Sequence, residues 1–500
     1  MERKFIFSGE NASHDFDFSS PEILELLQRK RIEFVGTATS DFQSEPFTYD
    51  ENGEPLVTND WEHELLRNLE GKESGIQTKQ VKEDLPHFFE HKKLYTTRSK
   101  EIGQNMFRFS LDFGRLCPKE GEFNSALMAE YVKILAHIKA DGQEPMLTIY
   151  HWPMPCFLLK TAADGKIEAG GWENPHVIRH YRFYVEKVVS FLADETWIKK
   201  VLTEESFDKK FCDKIIATGL VQYFLSVNEP ESVLLPGYLG GVFPPYKKGR
   251  LDLIMKVLNR LVEAHDITYN CIKEALWKMG NPSPKVGVAH AWPYFDGLLG
   301  DVAHSIINSG IANKFERKGE HTDFLALQYY FRMSVPNFSR TNKLYGEHPY
   351  FSDVYPMGIL ENLKKMHAQY PNKEIFISEF GFSETRDQMR PYLSMETVRY
   401  IFEAMKEGIP VKGILLWSMV NNLEWAWGME QRFGLFDEHE LKVPLQYSKQ
   451  GTIQGWEAWH AVANAIIHPT AETLGNLQRH YVTAKSQFHS TLSGDDRQAS

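Results

Sequence analysis

Val221-Gln222-Tyr223-Phe224-Leu225-Ser226-Val227-Asn228-Glu229-Pro230 is an apolar, aromatic and β-branched run that stops at a glutamate and is closed by a proline. That composition suits a buried strand, and the proline marks where the strand gives way to a loop. Glu374-Ile375-Phe376-Ile377-Ser378-Glu379-Phe380-Gly381 repeats the arrangement, with Gly381 as the breaker. Two carboxylates are therefore expected at the mouths of two strands, each where its strand opens onto a loop.

Six more short apolar runs flank these two: Ile32–Ala38, Met106–Leu111, Met146–Tyr150, Val286–Ala291, Phe324–Tyr330 and Gly413–Trp417. Between them apolar residues recur every three or four positions, as in Met128, Tyr131, Leu135 and Ile138, in Tyr181, Tyr184, Val188 and Phe191, and in Met395, Val398, Phe402 and Met405. That spacing predicts helices. Strand and helix alternating eight times predict an α/β protein with a single (β/α)8 TIM barrel enlarged by loop insertions, spanning residues 31–468. Residues 1–30 read as an N-terminal extension, in which Glu22 to Lys30 can form a short amphipathic helix. Residues 469–500, polar from Asn476 onward, read as a mobile C-terminal tail.

The chain has 500 residues and a formal charge of −11. Its lysines and arginines are scattered, which argues against a nucleic-acid partner, because phosphate backbones require clustered cations. No run of 18 uncharged apolar residues occurs, and Met1 to Ser20 lacks the apolar core of a signal peptide, so a soluble, cytoplasmic protein with no membrane association is expected. The four cysteines, Cys117, Cys156, Cys212 and Cys271, form no Cys-x-x-Cys pair and read as reduced thiols. Neither a metal nor a cofactor is indicated. Asp437-Glu438-His439-Glu440 reads as an exposed turn rather than a metal site, and no glycine loop suited to phosphate is present. Oligomeric state is not legible.

Two facing carboxylates are what glycosidic bond cleavage requires: one protonates the leaving oxygen while the other meets the oxocarbenium-like carbon, as nucleophile or through a water. Several motifs sharpen this. Gly36-Thr37-Ala38-Thr39-Ser40-Asp41-Phe42-Gln43, Phe107-Arg108-Phe109-Ser110, His151-Trp152, Asn228-Glu229-Pro230, Tyr329-Tyr330, Glu379, and Trp417-Ser418 through Asn422-Leu423-Glu424-Trp425 and Arg432-Phe433-Gly434-Leu435 occur in the order of glycoside hydrolase family 1. The chain resembles those retaining β-glycosidases, β-glucosidases among them, over about 430 residues.

The resemblance implies a retaining double displacement on a small glycoside or oligosaccharide, with Glu379 as nucleophile and Glu229 as acid/base. Arg108 and Tyr330 match the residues expected beside Glu379, and Asn228 the one expected at the sugar 2-hydroxyl. Gln43, His151, Trp152, Asn228, Glu424 and Trp425 match substrate-binding positions, with Trp417 under the sugar ring. Glu424, as a carboxylate, argues for unphosphorylated glycosides, since it would repel a 6-phosphate. Gln328, Phe380, Phe113, Pro153, Asn421 and Pro46 depart from the family's usual residues. None of these transfers a proton, yet they stand where they can shift the groups that do. The loops around Val233–Pro245, Trp292–Leu299 and Phe331–Ser339 are expected to shape the aglycone pocket and follow no readable pattern. Hydrolysis is the leading activity, with transglycosylation or a catalytically silent carbohydrate-binding homologue as alternatives.

Overall fold

The computed structural model describes residues 16–76, 85–276, 283–316, 320–335, 354–384, 387–449 and 451–495. Eight strands close into a barrel: β1 Phe34–Ala38, β2 Met106–Ser110, β3 Glu144–Tyr150, β4 Tyr223–Asn228, β5 Lys285–Ala291, β6 Phe324–Tyr329, β7 Ile375–Phe380 and β8 Val411–Trp417. Every neighbouring pair is parallel and consecutive in the chain, with β8 returning to β1. Each strand is followed by a helix of the outer ring, with further short helices in some loops: α1 Phe88–Glu101, α2 Ser125–Ala140, α3 Val177–Leu192, α4 Leu251–Leu276, α5 Ser309–Glu316, α6 Gly358–Gln369, α7 Arg390–Lys406 and α8 Gly455–Ile467. The eight apolar runs and the three helical spacings all fall on these elements.

Strand alternation divides the core in two. Met106, Met146, Tyr223, Leu225, Ala289, Phe324, Ala326, Phe376 and Leu415 fill the barrel's interior, while the opposite faces join the helices in one large outer core. Met106, Met146, Phe324 and Phe376 come early in their strands. The later inward positions are polar, among them Arg108, Thr148 and Gln328, so the apolar plug ends below the carboxyl-terminal mouth, where such barrels place their sites.

Two bulges aim the site. Between β6 and β7, Leu327 pairs with Ile377 and Gln328 with Glu379, which leaves Ser378 as an extra residue. Phe376 faces the barrel interior and Ile377 the helices. Without the extra residue, Glu379 would fall on the same outer face as Ile377. The bulge inverts the phase, turning Glu379 inward and Phe380 outward against Trp459. A similar shift between β4 and β5 separates Leu225 from Asn228. Glu379 therefore lies at the carboxyl end of β7, one residue before its last. Gly381 follows, and its role is close approach: a Cβ there would sit 2.2 Å from the Trp417 carbonyl oxygen.

The polar C-terminal segment is not a free tail. Ala471–Asp495 forms helix α9, whose Leu474, Leu477, Tyr481, Ala484 and Phe488 are buried and whose neighbours are α7 and α8. Five apolar residues at three- and four-residue spacing, diluted among polar ones, make a stripe that composition conceals. The Tyr481 hydroxyl donates to Glu396 on α7 at 2.6 Å. The short helix expected near the N-terminus occurs at Pro21–Arg29, burying Ile23 and Leu27. Residues 1–15 lie outside the described residues.

Candidate active site

Glu229 is the first residue after β4, with φ 43°, and caps the helix Pro230–Leu234. Trp152 and Trp425 also have positive φ, at 86° and 50°. Such conformations cost a non-glycine residue roughly 1–3 kcal/mol each and persist only where the surroundings enforce them. All three side chains border one cleft of about 440 Å3. Its polar lining includes Gln43, His151, Asn228, Glu229, Ser232, Gln328, Tyr330, Glu379 and Glu424, so the structure gathers residues from six barrel strands and their loops at one end of the barrel.

The two expected carboxyl groups differ in their partners. Glu379 Oε1 accepts from Arg108 Nη1 and, at 2.6 Å, from Gln328 Nε2, while its Oε2 accepts from the Tyr330 hydroxyl at 2.5 Å. Arg108 is fully buried. Its Nε donates to Thr148 Oγ1 at 3.0 Å and its Nη2 to Asn228 Oδ1 at 2.5 Å. Glu229 Oε2 accepts from the Ser232 hydroxyl at 2.7 Å.

Burial raises both carboxyls. On Glu379 the guanidinium of Arg108 and the donors Tyr330, Arg108 and Gln328 oppose the rise. On Glu229 the negative charge of Glu379 adds to burial and holds the group well above the usual carboxylate range, with Ser232 the larger opposing influence and Arg108 a smaller one. Three donors, one of them the Arg108 guanidinium, against one hydroxyl favour the charged form on Glu379 and the protonated form on Glu229.

The remaining sequence-identified residues surround this pair. Gln43 Nε2 donates to Glu424 Oε2 at 3.0 Å, and Ser40 steadies its amide oxygen at 2.8 Å. Asp41, at the start of the short helix that carries Gln43, is held by a buried network: Arg115 reaches Asp41 at 2.5 Å and Glu62 at 2.6 Å, and the Tyr131 hydroxyl donates to Asp41 at 2.7 Å. Glu424 is pushed up to about 8 by burial, a rise that donation from Trp417 opposes. Its carboxyl is therefore largely protonated at neutral pH, so the charge repulsion argued from sequence is weak there.

His151 faces Asn228 Nδ2 through its Nε2 at 3.0 Å, so Nε2 accepts and the ring proton sits on Nδ1, which is buried without a hydrogen-bond partner. Burial, reinforced by Arg108, holds the ring well below the ordinary histidine range and thus neutral. The Trp152 indole donates to the Asn228 carbonyl at 3.0 Å, so its N–H is committed to protein. Trp425 packs on Trp152 and His151, with ring centroids 4.3 and 5.7 Å apart.

Among the departures from the family pattern, Gln328 touches Glu379 directly. Phe380 and Phe113 turn away: Phe113 stacks on Tyr184 at 4.6 Å. Asn421 ties its loop together, accepting from Gly434 N and donating to Asp437, both at 2.7 Å. Pro46 and Pro153 are buried in loops. Sequence reasoning missed Ser232, whose signal is its place three residues after Glu229, where a helical turn returns it to the carboxyl.

Asp437-Glu438-His439-Glu440 is not a bare turn. Glu438 opens a short helical turn and binds His91 Nε2 at 3.1 Å and the His87 amide at 3.0 Å. Among the described residues no group of His, Cys, Asp and Glu is arranged to hold a metal, and no helix is long and apolar enough to cross a membrane.

A closed parallel (β/α)8 barrel with two inward carboxyls at its mouth defines a class of carbohydrate-processing enzymes. The family model described as glycosyl hydrolase family 1 matches residues 30–296 and 315–439, and this chain belongs to that family. Its relatives are distant. A chloroplastic galactolipid galactosyltransferase of Arabidopsis thaliana is 27% identical over 398 residues, 73% of this chain and 57% of that protein. A 1,4-beta-D-glucan glucohydrolase of Thermotoga neapolitana is 24% identical over 387 residues, 67% of this chain and 82% of its own length. The crystal structure of a Pyrococcus furiosus beta-glucosidase superposes with a TM-score of 0.69 at 22% identity, covering 89% of this chain and 98% of that one. Family membership makes the protein a glycosidase or glycosyl-transfer enzyme acting on carbohydrate.

Proposed function

We propose that the protein is a retaining exo-β-glycosidase that removes terminal, unphosphorylated β-linked sugars. The unequal treatment of the two carboxyls carries the reading. Glu379, ionised by Arg108, Tyr330 and Gln328, attacks the anomeric carbon; the bond to the leaving oxygen breaks as protonated Glu229 delivers its proton there. Water then attacks the glycosyl ester, giving its proton to Glu229 and freeing Glu379. Asn228 sits beside Arg108, where it can meet the 2-hydroxyl. Gln43, His151 Nδ1, Glu424 and Trp425 offer further contacts, and Trp417 forms the floor beneath the ring.

The preference for unphosphorylated sugars rests on missing cations. Among the described cleft-lining residues Arg332 is the only lysine or arginine, and it pairs with Asp296 at 3.5 Å. A 6-phosphate beside Glu424 would find no neutralising partner. Proton NMR of the first product from aryl β-glycosides tests the reading: retained β-configuration supports it, and an inverted product overturns it.

Glycosyl transfer to an acceptor other than water is the second reading. Leu235, Val242, Phe243, Trp292, Phe331 and Met333 line the cleft, and an apolar wall favours an organic acceptor over water. The Arabidopsis relative is described as a transferase. Product analysis with added alcohols separates the two.

A further inference from the structure

The cleft's apolar wall does not end at its rim. Phe295 and Ile307 line the cleft, and the chain between them exposes four large aliphatic side chains: Leu298 is 90% exposed, Ile306 68%, Val302 53% and Leu299 43%. The segment is ordered by Val335, whose carbonyl accepts from Leu299 N at 3.3 Å, and by the helical turns Gly300–Ala303 and His304–Asn308. From the loop after β4, Leu239 is both a lining residue and 41% exposed. A soluble surface seldom concentrates aliphatic residues in this way without a ligand for them.

We propose that residues 297–308, with Leu239, extend the cleft into a subsite for a linear hydrocarbon chain carried by the aglycone, so that the preferred substrate is an amphiphilic alkyl or acyl glycoside. The inference rests on the function proposed above and names its substrate class. The argument is continuity. Phe295 and Ile307 belong to the same short segment as the exposed leucines, valine and isoleucine, so a chain leaving the sugar past Phe295 meets aliphatic surface next. Of the segment's polar groups, Asn308 donates to the Pro293 carbonyl at 3.0 Å, and Asp301, itself exposed, is neutralised by Lys365 at 2.8 Å. A hydrocarbon chain needs apolar area, which Leu298, Leu299, Val302 and Ile306 supply.

The test is the dissociation constant of S-alkyl β-thioglycosides, which resist hydrolysis, in a butyl, hexyl, octyl and decyl series with glucose and with galactose. Each is titrated by tryptophan fluorescence below its critical micelle concentration. Affinity should rise about twofold or more per added methylene in the wild-type protein. In V302D and I306D, both surface positions that should still fold, the dependence should flatten. A flat series in the wild type overturns the subsite. So does a dependence that V302D, I306D and L298D all leave intact.

Light scattering examines a second occupant. A wild-type dimer that I306D converts to monomer, with no chain-length dependence in either, assigns the patch to self-association and overturns the proposal. Turnover of aryl glycosides separates the two readings: turnover with a flat series leaves the proposed function standing and removes the subsite, whereas a length-dependent affinity without turnover does the reverse.

Discussion

Gln328 and Glu379 are joined by a hydrogen bond of 2.6 Å, and the same amide nitrogen lies 2.8 Å from Asn228 Oδ1. One side chain thus links the carboxylate expected to attack with the amide expected to hold the sugar. The family's usual asparagine is a methylene shorter. Gln328 reaches because the Ser378 bulge sets Glu379 directly opposite it in the sheet register. Its own Oε1 is buried without a hydrogen-bond partner, an imbalance expected at a functional site rather than in a structural core.

Gln328→Leu should lower kcat/KM about ten- to a hundredfold, since hydrogen bonds to charged groups are worth about 1.5–3 kcal/mol. Gln328→Asn, which can keep one of the two bonds, should lose less. Both are read from steady-state kinetics on an aryl glycoside, with thermal unfolding confirming that the fold is retained. Equal rates in Gln328→Leu and wild type would show that the amide positions nothing.

The charge of Glu379 helps keep Glu229 protonated. In Glu379→Gln that charge is gone, so the Glu229 carboxyl should titrate at lower pH than in the wild type, as carbon-13 NMR of labelled glutamate can report. In the active enzyme the alkaline limb of kcat/KM follows deprotonation of Glu229. An unchanged Glu229 titration in Glu379→Gln would show that burial alone sets its value.

Behind Glu229 lies a buried chain with no assigned role in turnover. His290 Nδ1 is 2.8 Å from Glu231 Oε1, and Nε2 is 3.5 Å from Glu316 Oε1. Burial pulls the imidazole down, but Glu231 and Glu316 overcome it and lift His290 from 6.5 to about 9. A folded value above the unfolded one stabilises fully below pH 6.5 and is lost as pH rises through 9. The stability difference between wild type and His290→Gln should therefore be largest below pH 6.5, at about 3 kcal/mol, and shrink towards pH 9. Urea unfolding across that range measures it, and a pH-independent difference would contradict the assignment.

Helix α9 should matter to stability although its composition reads as a tail. Leu477→Ala removes a side chain with no exposed surface and should cost about 2–4 kcal/mol. Chemical denaturation checks this, and a change below about 0.5 kcal/mol would show that the helix does not dock.

The barrel was legible because its strands are buried on both faces and so appear as unbroken apolar runs. The same property hid the bulges. Without alternation in Phe224-Leu225-Ser226-Val227 or Ile375-Phe376-Ile377, nothing marks which residue faces inward, so the extra residue that turns Glu379 inward is not legible. Arg108 was readable, since Met106, Arg108 and Ser110 alternate regularly with Phe107 and Phe109. Gln328 was recognised as a departure but not as a bridge, because that role depends on the register between two strands. Glu424's protonation was equally beyond sequence, being set by burial that only the assembled cleft creates. The stripe of α9 was missed because five apolar residues are lost among its polar ones.

The most direct measurement is mass spectrometry of the protein after incubation with 2-deoxy-2-fluoro β-glycosides carrying a good leaving group, which slow the second displacement more than the first. The account predicts a covalent glycosyl adduct on the peptide that contains Glu379, absent in Glu379→Gln. An adduct on another residue, or none from any sugar while aryl glycosides are turned over, would contradict it.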